Sequence, residues 1–164
     1  MNAKEMVTRQ QTTMKDVLQE MGATNSFRVK ALLLTNFIES LLKDFMEFLL
    51  KTEEGREIPR NLIVKILLDK KIINSEISKD IKHIFEIRDA YAHHLSLIQA
   101  NAKIEKEILP KMKCVKHRSS QIPDWNKRDL DTKIIDVSDW VFANLLMDFD
   151  QMTKQPIRIR TKRD

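Results

Sequence analysis

Apolar residues recur at steps of three and four along most of this chain, the spacing that places them on one face of an α-helix. Residues 3–21 carry Val7, Met14, Val17, Leu18 and Met21 in this pattern, and Gly22 predicts a stop. Asn25 or Ser26 can cap a longer helix that runs to about Lys51. Its apolar positions (Val29, Leu32, Leu33, Phe37, Leu41, Leu42, Phe45, Leu49) cover more than one stripe, so it is expected to pack on two sides. Phe37, Phe45, Met46 and Phe48 stand at helical spacing and read as core or dimer packing before they read as a cofactor box.

Gly55 closes that unit, and Pro59 suits the first turn of a third helix ending near Leu68. Asn74 or Ser75 caps a fourth, expected to reach at least Ile98 and, with a bend, Leu109, where Pro110 stops it. A last helix is expected from about Thr132 to Thr153, with Ile135, Val137, Trp140, Leu145, Leu146, Phe149 and Met152 apolar. Residues 111–131 fit no helix and read as a basic loop, with room for a short strand at Cys114–Val115. The expectation is an all-α bundle of about five helices: one domain over residues 1–154, then a basic tail over 155–164.

Composition sharpens this picture. With 2 glycines and 4 prolines in 164 residues there are few turn formers for a sheet, which favours long helices. The single cysteine, Cys114, excludes an internal disulfide, and Cys114-x-x-His117 is half of a zinc motif with no second half. The longest apolar runs, such as Ala31–Leu34, are too short to span a bilayer, and the start shows no signal-peptide pattern. A cytoplasmic protein with no membrane segment, no metal and no cofactor is the expectation. The net charge of +5 is compatible with nucleic acid without requiring it. Much of the excess sits in the basic segment, where Lys113, Lys116, Arg118 and Arg128 are candidate RNA-backbone contacts and Trp125 or Trp140 could stack a base.

The chemistry concentrates on the fourth helix. Its stripe runs Ile77, Ile81, Ile84, then Tyr91, Leu95 and Ile98, and the position that fills the gap is Arg88. A guanidinium on a buried stripe needs a carboxylate, a phosphate or an aqueous cleft; the plain alternative is a snorkelling or salt-bridged arginine. Glu86, Asp89 and His93 share an adjoining face, and Asp89 stands one turn before His93, close enough to orient its ring. A cationic arginine beside an oriented imidazole could stabilise a phosphoryl transition state and move a proton. Arg88 and His93 differ by about 140° around the axis, so a shared cleft depends on the reach of Arg88. His93 and the adjacent His94 point about 100° apart, which disfavours joint chelation.

The run Phe85-Glu86-Ile87-Arg88-Asp89-Ala90-Tyr91-Ala92-His93-His94 resembles the signature of the HEPN superfamily of helical ribonucleases and RNA-binding domains. That signature is an arginine followed by a polar residue, then a histidine after four to six intervening positions. The resemblance implies a homodimer that joins two motif helices over a composite cleft. It implies metal-independent RNA cleavage by 2′-hydroxyl attack, with His93 handling protons, Arg88 the phosphate charge and Asp89 positioning His93 or the nucleophile. Glu86, Tyr91 and His94 are secondary candidates. An antitoxin or regulatory partner protein is a further implication, although the branch paired with nucleotidyltransferases carries tyrosine where this chain has Leu95. Some members resembling this one bind RNA or protein without cutting, so a silent dimeric module is the alternative.

Overall fold

A computed structural model describes residues 3–94 and 96–154. The basic tail expected at 155–164 lies outside the described residues. Among those described there are seven α-helices and no strand: α1 (Ala3–Ala23), α2 (Phe27–Leu50), α3 (Arg60–Asp69), α4 (Ser75–His93), α5 (Leu97–Lys103), α6 (Lys113–Gln121) and α7 (Leu130–Lys154). Short 3-10 turns stand at Glu53–Glu57, Leu109–Lys111 and Trp125–Lys127, and a π-helical stretch covers Ile104–Ile108.

The central element is α2, packed against α1, α3, α4 and α7. Ser26 starts it by accepting the Val29 N–H, and Lys51 ends it in the left-handed region at φ 55°. The expected second packing side is present: Ala31, Leu34, Phe37, Ile38, Leu41, Leu42 and Phe45 are all buried. Phe45 and Phe149 stack with ring centroids 4.8 Å apart, and Phe37 meets Phe142 at 5.0 Å, so these aromatics fasten α2 to α7. Gly22 does not stop α1, which runs on to Ala23.

Where α1, α2 and the Glu53–Glu57 turn meet, the core is polar. Asp44 and Glu47 are buried, a costly arrangement for carboxylates unless cations and donors surround them. Arg9 binds Asp44 at 3.0 Å and Glu47 at 2.9 Å, while Arg56 and Gln10 also bind Asp44. Burial pushes the Glu47 carboxyl up, but Arg9 and Arg56 together carry it below its ordinary value. Gly55 lets the turn lie this close: a Cβ there would stand 2.7 Å from the Met46 carbonyl and the Glu47 nitrogen. Because the obstacle is helix backbone, Gly55→Ala should cost about 1–3 kcal/mol, read as a lower urea midpoint at unchanged slope.

Two further expectations fail. The fourth helix does not continue to Ile98; it ends at His93, His94 is extended, and α5 starts afresh after Ser96. The reason is local. Ser96 accepts the Gln99 N–H, and Ser-x-x-Gln is a helix-start signature that the apolar spacing across it conceals. Ile98 is consequently 81% exposed, and Leu95 lies outside the described residues. The second failure is the basic loop with its strand at Cys114: residues 113–121 form α6. Met112 gives this helix no side-chain cap. The cap comes from Asp80 of α4, whose fully buried carboxylate accepts the Lys113 N–H at 2.7 Å and the Cys114 N–H at 2.8 Å.

Candidate functional site

The C-terminal half of α4 carries the candidate residues on a rigid support. Asn74 caps its start by accepting the Glu76 and Ile77 N–H groups, each at 2.9 Å. Ile77, Ile81, Ile84, Phe85, Ile87 and Tyr91 bury it against the core. At its far end Arg28 of α2 donates to the Ala92 carbonyl at 3.3 Å, satisfying one of the acceptors that a helix end leaves open.

Arg88 interrupts the stripe without being buried; its side chain retains 33% exposure at the rim. It pairs with its neighbour Asp89, with Nη1 3.6 Å from Oδ1, an ion pair beyond hydrogen-bond length. Asp89 is chiefly bound to Arg60, whose Nη2 donates to both carboxylate oxygens at 3.2 and 3.1 Å. The Arg60 guanidinium lies 4.7 Å from the centroid of the Phe85 ring, and its other nitrogen stands 3.9 Å from Glu39, which pairs with Lys43 at 3.0 Å. Arg60 thus joins α2, α3 and α4 through one planar cation, a task that suits arginine better than lysine.

This corrects the sequence reading of Asp89. Its carboxylate is hydrogen-bonded to Arg60 and makes no hydrogen bond to His93. Nor do Glu86, Asp89 and His93 work as one face: Glu86 binds His83 Nδ1 at 3.0 Å. His93 is exposed at the last position of α4, and its ring makes no hydrogen bond among the described residues. His94 is half-buried, and its N–H donates to the Ala90 carbonyl at 3.1 Å. Arg60 and Arg28 were not singled out in the sequence. A trace of Arg60 was there: a cation directly after Pro59, in a first helical turn without acids, opposes the helix dipole and so needs a partner elsewhere.

Tyr91 is the largest of the fully buried side chains, and its hydroxyl donates to Asn101 Oδ1 at 2.9 Å. It ties α5 to α4, and its side chain is buried. Burial, reinforced by the charge of Asp131, pushes its phenol up to about 12. The sign follows directly. An unfolded chain ionises its tyrosine near 10 and the folded chain near 12, so stability should fall as pH rises past 10 and level off above 12. Because Tyr91 is the only tyrosine, ultraviolet absorbance of tyrosinate reports it alone. It should appear near 12 in the folded chain and near 10 in the chain unfolded by urea.

The four basic candidates differ in exposure and in their partners. Lys116 is exposed and Lys113 half-buried at the start of α6. Arg118 is half-buried near Asp139, and Arg128 donates to Asp136 at 2.7 Å. Trp125 is buried, and the half-buried Trp140 carries His117 stacked over it at 6.0 Å. Burial pushes the Cys114 thiol well up, and Asp80 adds to the effect. Among the described residues no group of His, Cys, Asp and Glu is arranged to hold a metal, and no helix is long and apolar enough to cross a membrane. Comparison with family models, with curated proteins and with solved structures gave no match.

Proposed function

We propose that this chain is a HEPN-type, metal-independent endoribonuclease that acts as a homodimer in RNA-directed defence or growth control. The observation that carries the reading is the end of α4, where a partly exposed Arg88 stands five residues before an exposed His93 whose ring no side chain among the described residues claims. In the dimer, Arg88 and His93 of both copies line one groove. His93 of one copy takes the proton from a ribose 2′-hydroxyl. The 2′-oxygen attacks the adjacent phosphorus, and the bond to the 5′-oxygen breaks. A histidine returns a proton to that leaving oxygen, while Arg88 neutralises the non-bridging oxygens. The products are a 2′,3′-cyclic phosphate and a 5′-hydroxyl.

The test is cleavage of total RNA by purified protein in EDTA, with end chemistry read by kinase labelling and oligomeric state by light scattering. Fragments that accept a 5′-phosphate without prior dephosphorylation, made by a dimer, are the expected result. Loss of cutting on chelation overturns the mechanism, and a strict monomer overturns the shared groove.

One observation favours a second reading, a catalytically silent HEPN-like dimer that binds RNA or a regulatory protein such as an antitoxin. Asp89 is held by Arg60, so His93 lacks the carboxylate that would orient it. RNA binding without cutting under the same conditions selects this alternative.

A further inference from the structure

Asp89 stands between two guanidiniums that reach it unequally. Arg60 Nη2 donates to both carboxylate oxygens, at 3.2 and 3.1 Å, whereas Arg88 Nη1 stays 3.6 Å from Oδ1. Among the described residues these two are the cations within ion-pair distance of Asp89. The Arg88 guanidinium makes no hydrogen bond among the described residues, so its donors are left for a ligand.

Arg88 is the chain neighbour of Asp89 and lies within about half an ångström of hydrogen-bond length from it. Arg60 is the stronger claimant on the carboxylate. It is fixed from two further sides, 4.7 Å from the Phe85 ring centroid and 3.9 Å from Glu39. Its side chain is also the less exposed of the two, at 23% against 33%, and charges that face less solvent are screened less. Without Arg60 the balance at this rim changes. Arg88 is then the cation left to Asp89, and that pair carries no net charge. A closed Arg88–Asp89 pair occupies donors that a phosphate needs and cancels the charge that attracts it. With Arg60 in place, the three groups together are cationic.

We infer that Arg60 is a positioning residue of the α4 site: by holding Asp89 it keeps the Arg88 guanidinium open to a phosphate. The phosphate rests on the RNA reading above, whereas the contest between Arg60 and Arg88 for Asp89 belongs to the chain itself. Asp89 thereby acts as an internal competitor for Arg88, restrained from another helix. Arg60 acts only through that carboxylate and does not touch the substrate.

The test is the rate at which phenylglyoxal, an arginine reagent, labels Arg88 in the full chain, read by mass spectrometry of its peptides. Arg60→Ala should slow the labelling of Arg88 by about two- to fivefold, the size of a partly exposed ion pair. Arg60→Ala combined with Asp89→Asn should return it to the wild-type rate, because the competing carboxylate is gone. A purely structural Arg60 predicts the opposite sign, since loosening α3 from α4 would expose Arg88 and speed its labelling. Arg60→Met keeps an apolar stem over Phe85 and takes the place of alanine if circular dichroism shows that Arg60→Ala has lost helix. Labelling of Arg88 at or above the wild-type rate in the folded single variant overturns the proposal, and so does a double variant that stays slow. Single-turnover RNA cleavage by the same proteins should follow the same order. Labelling in this order by a protein that never cuts RNA supports the role of Arg60 and removes the nuclease reading. RNA cutting alongside labelling that is indifferent to Arg60 does the reverse.

Discussion

His93→Ala should lower the rate of RNA cleavage by about 10²- to 10⁴-fold, the usual contribution of a positioned acid–base histidine, and leave the bundle folded. The two halves of that result come from different facts. The loss in rate follows from the role proposed for the imidazole. Intact folding follows from its place: the ring is exposed, makes no hydrogen bond among the described residues, and packs on nothing that α4 needs. Single-turnover cleavage beside a thermal melt separates the two. His94→Ala is the internal control, because that side chain points about 100° away and should cost little activity. Arg88→Ala should lose cleavage comparably, since no other cation is proposed to face the scissile phosphate. A wild-type rate in His93→Ala would remove the histidine from the mechanism.

Asp80→Ala should be the most damaging single change to stability, at about 3–5 kcal/mol. The carboxylate is fully buried and accepts the first two N–H groups of α6, at 2.7 and 2.8 Å. Hydrogen bonds to a charged acceptor are worth more than neutral ones, and alanine leaves two donors without an acceptor in a dry place. The negative charge is compensated by the positive end of α6, on which it sits. Asp80→Asn keeps one acceptor oxygen and should recover about half of the loss. Urea denaturation followed by circular dichroism measures both variants. A loss below about 1 kcal/mol for alanine would mean that α6 caps itself in another way.

The contrast between Asp80 and Ser26 shows which parts of this fold were legible in the sequence. Ser26 caps a helix three residues away, so the start of α2 can be read locally, and its end at Leu50 follows from an apolar pattern that runs out there. Asp80 caps a helix that begins 33 residues later, and residues 111–131 carry no local sign of it, so their sequence reads as a loop. The break after His93 failed for the opposite reason. Its signal, Ser96-x-x-Gln99, was local but lay inside an apolar spacing that continued across it. At the candidate site, Arg88 and His93 both fall on α4, but Arg88 lies at the rim and not on a buried stripe. The partner of Asp89 could not be read, because Arg60 lies 29 residues earlier on another helix, and a carboxylate binds the nearest well-placed guanidinium before a more distant imidazole.

The position of α2 in the bundle has a kinetic consequence. Its flanks are covered by α1, α3, α4 and α7, so its amides reach solvent only when several helices separate together. Its central amides therefore exchange hydrogen only through global opening. The end of α4 differs, because the extended His94 and the short α5 behind it can open as a small unit. The molecule thus combines a slow interior clock at α2 with a fast one at the helix end where RNA is proposed to bind, and the bond between Arg28 and Ala92 is one link between them.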